Sequence, residues 1–319
     1  MPPCFNRRRI ITKFNHCLFN LTMSHPPKVN WKLLLVVLLL AGLPPASRSA
    51  TTIDAVNRYG YGGNIGWMDW HGVGSDLPAG AIMGEFTCSG HIYSANVGWI
   101  TLGSGSPTNG IYYQNHSAND FGVNQDGLGN LRGYAYGANI GWINFEATGA
   151  PRINLQNGKM NGYAWSANCG WISLSNAVAY VQTDHLSPGP LATNGLPVAW
   201  LLTNFGTTNV DAGADPAAKG MTIGQDYVAG TDPNNGSSVL RITGKSFTSG
   251  GISAALAWQS VPTRNYYVQK TTSLSYPVWA DSGLGLLAPS IGASTTASFI
   301  DTNAPMRVYR VQAVVPLSP

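Results

Sequence analysis

Between residues 131 and 145, side chains of different character alternate in two short runs on either side of a loop that contains two glycines. The runs cover residues 131–136 and 142–145, and the loop covers 137–141. Alternation with a period of two is typical of a β-strand. Within the loop, Asn139 tolerates the left-handed backbone region and Gly141 adopts a positive φ without steric cost. The pattern predicts a β-hairpin with a short loop.

The end of this loop carries the motif Asn-x-Gly-Trp, which occurs four times in the chain. The tryptophans of the four copies are separated by 32, 43 and 29 residues. A constant motif at unequal spacing predicts one hairpin, repeated four times and joined by loops of different length, in a propeller-, solenoid- or meander-like array. We assign this β-hairpin repeat domain to residues 51–185. The repeat residues are Asn64, Gly66, Trp67, Asn96, Gly98, Trp99, Asn139, Gly141, Trp142, Asn168, Gly170 and Trp171.

Small residues share one face of the first strand of a hairpin, as Gly162 and Ala164 do in the fourth copy. A flat aromatic ring would fit on that face, so we interpret the repeat tryptophans as packing anchors within the fold. The alternative is that some of them form a platform on which sugars stack. Other aromatic residues lie at strand positions that face outward. They are the candidate ligand-binding residues Tyr93, Tyr134, Tyr136, Tyr163 and Trp165.

The region from about residue 59 to about residue 175 resembles the aromatic Asn-x-Gly-Trp repeats of exported and cell-surface bacterial proteins. The first copy departs from the pattern, because residues 59–63 are shorter and richer in glycine than the matching segments. A terminal repeat often differs in this way. The resemblance implies an exported repeat protein, and it specifies no reaction.

An uninterrupted apolar run covers residues 33–43, after Lys28 and Lys32 and before prolines and small residues. It is shorter than the roughly 20 residues that span a bilayer. The arrangement is typical of a secretory signal peptide, which we assign to residues 1–50, with cleavage near 49–50 and Met23 as an alternative start. Other interpretations are a buried helix and an uncleaved anchor. A signal peptide predicts a secreted or cell-surface protein that contacts the membrane only through this leader.

Export bears on the cysteines, because an oxidising compartment favours disulfides. Cys88 and Cys169 are the two cysteines that follow the leader. They predict one disulfide that ties the second copy to the fourth. The alternative is a pair of buried free thiols.

Residues 186–235 contain proline- and glycine-rich segments that predict a linker with two short helices, over 197–206 and 221–229. Between these helices, the loop from Asp215 to Asp226 resembles the calcium loops of EF-hand-like, dockerin-type and thrombospondin type 3 repeats. Working loops place oxygen ligands at their third and fifth positions. This chain has Ala217 and Lys219 there. We therefore expect a degenerate loop that serves as a spacer, and no cofactor. The alternative is a loop that still binds calcium.

Residues 236–319 contain several apolar runs separated by turn residues, a spacing typical of the strands of a β-sandwich. Segments 258–262, 266–269, 299–301 and 309–311 resemble those of fibronectin type III and immunoglobulin-like modules. The resemblance implies a spacer or a surface tether. The whole chain is thus expected to be mainly β, with a hairpin repeat domain, a short helical linker and a C-terminal β-sandwich.

The charge composition bears on which molecules the protein could bind. Charged residues make up only 10% of the chain, and the seven basic residues of the leader leave 11 basic and 14 acidic residues in the remainder. A weakly acidic body gives no electrostatic basis for binding nucleic acid. The sequence also lacks the motifs of zinc metalloproteases, serine hydrolases and phosphate-binding loops.

Two hypotheses fit these observations. The first is an exported, non-enzymatic surface or adhesion protein that binds an extracellular glycan or a cell-envelope component through the aromatic strands. The alternative is a secreted carbohydrate-active enzyme with a carboxylate pair in the loops of the repeat domain. The spacing of the acidic residues along the chain selects no such pair.

Overall fold

The hairpin repeats form a closed β-barrel. The computed structural model describes residues 51–72, 79–248, 253–301 and 307–319, and the predicted leader lies outside the described residues. The chain is mainly β, as the alternation predicts. Its N-terminal strands are β1 (Ile53–Gly62), β2 (Gly66–Asp69), β3 (Ser89–Ser94), β4 (Gly98–Ser104), β5 (Val123–Gln125), β6 (Leu131–Gly137), β7 (Gly141–Phe145), β8 (Arg152–Ile153), β9 (Met160–Asn161), β10 (Tyr163–Ser166), β11 (Gly170–Ser173) and β12 (Val181–Thr183).

Four hairpins make up the barrel wall. They are β1–β2, β3–β4, β6–β7 and β10–β11, and each carries one Asn-x-Gly-Trp copy at its turn. The strands follow one another as a meander, and the last strand returns to the first, with Tyr61 opposite Ser173 and Gly62 opposite Ile172. Of the three arrangements that the sequence leaves open, the chain adopts the meander and closes it into a ring.

The turn of each hairpin is built from the repeat residues. In the third hairpin, the Ile140 N–H donates to the Gly137 carbonyl, and Gly141 has a φ of +72°. The other three repeat glycines have φ values of +75°, +78° and +76°. Glycine is favoured in this left-handed conformation because it has no Cβ. The repeat glycines therefore have the turn role that the sequence predicts.

The repeat asparagines join neighbouring hairpins into a ring. Each side chain donates from Nδ2 to the carbonyl oxygen of the variable residue in an adjacent copy, at 3.0–3.2 Å. We call these four contacts the asparagine ring. Whereas the sequence assigns each asparagine to its own turn, the structure shows that its side chain stabilises the contact to the next hairpin. The pairs are Asn64 with Cys169, Asn96 with Ile65, Asn139 with Val97, and Asn168 with Ile140.

Three layers of four side chains fill the barrel, with one side chain from each hairpin in every layer. The variable residue of the motif supplies the layer at the turn end, the residue after tryptophan supplies the middle layer, and the third residue after tryptophan supplies the last. Filling by side chains is usual for an eight-stranded barrel. In order, the layers are Ile65, Val97, Ile140 and Cys169; Met68, Ile100, Ile143 and Ile172; and Trp70, Leu102, Phe145 and Leu174.

Small residues on the first strands make room for these core side chains. A Cβ at Gly62 would lie 2.7 Å from Ile65 Cγ1, and a Cβ at Gly60 would lie 3.0 Å from Trp70 Nε1. Ala164 faces the same interior and is 1% exposed. The small face of the first strand therefore accepts the side chains of the barrel core.

Both predicted helices are present in the linker. They are α1 (Val198–Phe205) and α2 (Ile223–Ala229), and each ends at a glycine in the left-handed conformation. A reciprocal capping box between Thr222 and Gln225 starts α2, an arrangement that satisfies two backbone N–H groups. Apolar side chains of this segment form a small core of their own. None of the helices in the described ranges is long and apolar enough to cross a membrane.

The C-terminal residues form a β-sandwich. One sheet has the order β13-β14-β17 and the other β16-β15-β18, both antiparallel. Buried Trp258 and Tyr266 belong to different sheets and pack in one core. The strands are β13 (Ile242–Phe247), β14 (Ser253–Gln259), β15 (Asn265–Thr271), β16 (Ala280–Asp281), β17 (Ser294–Ile300) and β18 (Val308–Val314).

Helix α2 joins the barrel to the sandwich. On one side, the Tyr227 hydroxyl donates to Glu85 Oε1 at 2.8 Å. On the other side, Arg264 Nε donates to the Val228 carbonyl at 2.9 Å. The C-terminal tail adds an apolar contact, because Leu317 packs against the barrel core. The linker is therefore a packed joint between the two β domains.

The structure contradicts the predicted disulfide, because Cys88 and Cys169 are both free and buried. Cys169 belongs to the core layer at the turn end of the barrel, whereas Cys88 directly precedes β3 at the opposite end. The six residues of β3 span roughly 20 Å, and a disulfide needs Cα atoms within about 7 Å. Burial also raises the pKa of the Cys88 thiol to about 12.

We predict that residues 51–319 contain two unreactive thiols. Because both are buried, DTNB should react slowly with the native protein and should detect two thiols per chain once the protein is unfolded without reductant. The control is the same titration after reduction and removal of the reductant, which should give the same number. Zero thiols before reduction and two after it would instead indicate the disulfide.

Candidate functional site

The repeat tryptophans lie on the outer surface of the barrel. Trp67, Trp142 and Trp171 are 45–47% exposed, and Trp99 is half-buried. The prediction that they fill the face of small residues is therefore wrong, although each still packs within its own hairpin. Tryptophan and the residue that follows it are both apolar, so alternation shows that they face opposite sides without showing which of them faces inward.

Each repeat tryptophan packs against two aromatic residues on the first strand of its own hairpin. One lies directly opposite, with ring centroids 4.9–5.0 Å apart. The other lies two residues earlier, at 6.0–6.4 Å. We call each set an aromatic triad and number the triads in chain order. They are Tyr59, Tyr61 and Trp67; His91, Tyr93 and Trp99; Tyr134, Tyr136 and Trp142; and Tyr163, Trp165 and Trp171.

The five candidate ligand-binding residues of the sequence analysis all belong to these triads. Tyr136, Tyr163 and Trp165 are 37–49% exposed, and Tyr93 and Tyr134 are half-buried. Three triad members were missed, although they hold equivalent positions on first strands and the same spacing from the motif would have found them. They are Tyr59, Tyr61 and His91.

A polar residue of the neighbouring hairpin lies beside each triad. It is the second residue after the repeat tryptophan of that hairpin, and strand pairing sets it opposite the central aromatic residue of the next triad. Residues paired in this way have Cβ atoms about 5 Å apart, so a polar residue lies next to the rings of each triad. The rings of the second triad are half-buried and its neighbour Asp69 is buried, whereas the other three triads have exposed rings. The pairs are Ser173 with Tyr61, Asp69 with Tyr93, Thr101 with Tyr136, and Asn144 with Trp165.

The triads differ in their surroundings. Phe121 packs edge-on against Trp142, with ring centroids 4.9 Å apart. An open groove of about 630 Å³ lies beside it and is lined by His91, Thr101, Asn119 and Phe121. Burial lowers the pKa of His91, which favours the neutral imidazole. Its Nδ1 has no hydrogen-bond partner among the described residues. This groove thus offers aromatic walls next to polar side chains.

A second candidate site is a cavity of about 190 Å³ between the barrel, α2 and the sandwich, lined by Glu85 and Asp126. Burial raises the pKa of Glu85, and both of its oxygens accept from the Tyr227 hydroxyl, at 2.8 and 2.9 Å. Asp126 Oδ1 accepts the backbone N–H groups of Leu128 and Asn130. Both carboxyl groups therefore hold neighbouring parts of the fold.

The two acids of the degenerate calcium loop have separate partners. Asp215 accepts the backbone N–H groups of Lys219 and Gly220, at 3.1 and 2.7 Å. Asp226 is fully buried and forms an ion pair with the Lys219 ammonium. Within the described part of the chain, no cluster of three or more His, Cys, Asp or Glu side chains is arranged to hold a metal ion.

Comparison of the chain with protein-family models, with curated proteins and with solved structures found no significant match. The class of the protein is therefore defined by its architecture. It is a closed barrel of four aromatic-faced hairpins, joined through a helical segment to a β-sandwich. A fold alone does not specify function, and the outer surface of the barrel carries the groups that could bind a ligand.

Proposed function

We propose that the chain is an exported, non-enzymatic surface protein that binds glycans through the aromatic triads of its barrel. The observation that carries the proposal is that three of the four aromatic triads expose rings on the outer surface of the barrel, each beside a polar residue. Clustered aromatic rings exposed to water are a recurrent feature of interaction sites. Other side chains fill the core of the barrel, so the rings of the triads do not form part of that core.

The chemistry of the triads favours a sugar over other ligands. The apolar C–H face of a sugar ring packs on a flat indole or phenol, while hydroxyl groups at its edge form hydrogen bonds. Three of the four polar neighbours are uncharged, namely Thr101, Asn144 and Ser173. Uncharged groups beside aromatic rings suit a neutral, hydroxyl-rich ligand and give little attraction for a polyanion.

The fourfold arrangement favours a polymeric ligand. Each triad offers a small contact, and small contacts bind weakly when they act alone. Several similar contacts around one barrel raise the apparent affinity for a chain, or for a surface that presents many copies of one sugar. A polysaccharide of the cell envelope or the extracellular matrix has this property.

Binding to a glycan array, followed by titration calorimetry with the best ligand, tests the proposal. We expect Trp171→Ala and Trp165→Ala each to weaken binding severalfold, since one aromatic contact contributes about 1 kcal/mol. Replacing all four repeat tryptophans with alanine should abolish it. The matched control is Tyr276→Ala, which removes an aromatic side chain that is 88% exposed on the sandwich and should leave the affinity unchanged.

Circular dichroism of each variant shows whether the barrel remains folded. Binding to no glycan would overturn the proposal, as would binding that survives the loss of all four tryptophans in a folded protein. Self-association that disappears in the fourfold variant, with no glycan binding, would show that the triads contact a second copy of the chain instead.

The carbohydrate-active enzyme is the second candidate, because Glu85 and Asp126 line one cavity and burial raises the pKa of Glu85. A general acid with a raised pKa is one requirement of a glycosidase. Release of reducing sugar from the bound polysaccharide by the wild type but not by Glu85→Gln would favour this candidate. No release by the wild type would exclude it for that polysaccharide.

A further inference from the structure

The side chain of Lys219, in the loop that resembles a calcium site, is enclosed by Asp226 and by the segment that follows α2. This side chain is 1% exposed, and its ammonium lies 2.8 Å from Asp226 Oδ1. Three backbone carbonyl oxygens complete the surroundings, those of Asp232 at 2.5 Å, Ser238 at 2.9 Å and Asn235 at 3.5 Å. The nitrogen is therefore held by one carboxylate and three carbonyls.

These are the oxygen types that bind calcium in proteins. An ammonium has three N–H donors and no acceptor, so the same oxygens also satisfy a lysine. Calcium does not fit beside it, because the ammonium lies among the oxygens and Asp226 supplies the only carboxylate of the group. The other acid of the loop, Asp215, accepts two backbone N–H groups instead.

Asp226 depends on this positive charge. The residue is fully buried. Its Oδ1 also accepts from the Thr231 hydroxyl at 2.5 Å, and its Oδ2 has no hydrogen-bond partner among the described residues. A buried carboxylate without a counter-charge is strongly unfavourable. Lys219 supplies the only basic group that forms an ion pair with Asp226 in the described part of the chain.

The contact also fixes the joint between the two β domains. Asp226 lies on α2, one residue before Tyr227, which contacts Glu85 of the barrel. The Val228 carbonyl on the same helix accepts from Arg264 of the sandwich. The carbonyls of residues 232–238 bring the following loop to the same ammonium. Lys219 precedes α2, and its ammonium binds Asp226 on α2 and the carbonyls of the loop that follows α2. The contact therefore holds three consecutive segments together.

We propose that Lys219 is the resident cation of a site formed by Asp226 and the carbonyls of residues 232–238, a tethered ammonium where a metal ion would otherwise be needed, and that the joint is consequently independent of calcium. The four surrounding oxygens form the cation site, and the chain itself supplies the cation covalently.

Thermal unfolding of residues 51–319 in EDTA and in millimolar calcium tests the proposal. The wild type should have the same Tm in both. Lys219→Met keeps the aliphatic stem and removes the charge, and should lower Tm by about 10 °C. The double variant Lys219→Met/Asp226→Asn should recover roughly half of that loss, because it also removes the unpaired carboxylate. The matched control is Lys245→Met, on the exposed face of β13, which should leave Tm unchanged.

A second measurement uses only the wild type, in case Lys219→Met does not fold. Acetylation of the native protein with an amine-reactive ester, followed by mass spectrometry, should modify Lys219 at least tenfold more slowly than Lys245. Equal rates at the two lysines would overturn the proposal. A wild-type Tm that rises with calcium would also overturn it, and so would a Lys219→Met variant as stable as Lys245→Met.

Discussion

Trp70→Ala is expected to lower the free energy of unfolding by about 3–5 kcal/mol, the usual cost of removing a large aromatic side chain from a core. Trp70 is 1% exposed and belongs to the last core layer. Its indole is accommodated because the facing first strand carries Gly60, where a Cβ would lie 3.0 Å from Nε1. Alanine would therefore leave a cavity beside Gly60 in the core of the barrel.

Trp67→Ala is the matched control, since it changes the same residue type three positions earlier in the same hairpin. Trp67 is 47% exposed and packs only against neighbours on the outer surface, so its loss should cost about 1 kcal/mol. Urea unfolding followed by circular dichroism gives both values. Equal costs for the two variants would contradict the assignment of Trp70 to the core and Trp67 to the surface.

Replacing all four asparagines of the asparagine ring with aspartate is expected to destabilise the barrel at pH 7 by about 4 kcal/mol, or about 1 kcal/mol for each site. Asparagine donates from Nδ2 to a carbonyl at every site. An ionised carboxylate has no N–H or O–H to donate, and it would face the carbonyl oxygen with like charge. The single variant Asn139→Asp should show one quarter of the effect.

The loss should depend on pH. A protonated carboxyl can donate to the carbonyl, so the folded state raises the pKa of each introduced group above its unfolded value of about 3.9. Below the unfolded pKa, the fourfold aspartate variant should therefore be nearly as stable as wild type. As the pH rises through the folded pKa, the variant should lose stability relative to wild type. Urea unfolding at pH 3 and pH 7 measures this. The control is the fourfold Asn→Ala variant, which lacks the carboxyls and should lose an amount of stability that does not change with pH. A fourfold aspartate variant as stable as wild type at pH 7 would show that the asparagine ring adds no stability.

Local patterns predicted the local structure. Alternation and the Asn-x-Gly-Trp turns predicted the four hairpins, and the proline- and glycine-bounded segments of the linker predicted both helices. The outward tyrosines were predicted because they alternate with small residues such as Ala164, which has no bulk and faces the core. In each case, residues within about ten positions of one another decide the outcome.

Contacts between residues far apart in the sequence determine the features that the sequence did not predict. Closure depends on β11 pairing with β1, more than 100 residues earlier, and the bond from Asn64 to Cys169 crosses 105 residues. The placement of Trp67 outside and Met68 inside depends on the curvature of the closed sheet. The loop around Lys219 was expected to lack a metal, but its sequence did not show that carbonyls 13 to 19 residues later would surround the ammonium.

Because β11 pairs with β1, the number of repeats in this protein is fixed by geometry. An open solenoid can gain or lose a repeat by duplication or deletion and still bury its faces. A barrel with a filled core cannot, since a fifth hairpin would widen it and leave its centre empty. Evolution of such a ring is therefore expected to keep four copies and to vary the segments between them, which already give the unequal tryptophan spacings of 32, 43 and 29 residues.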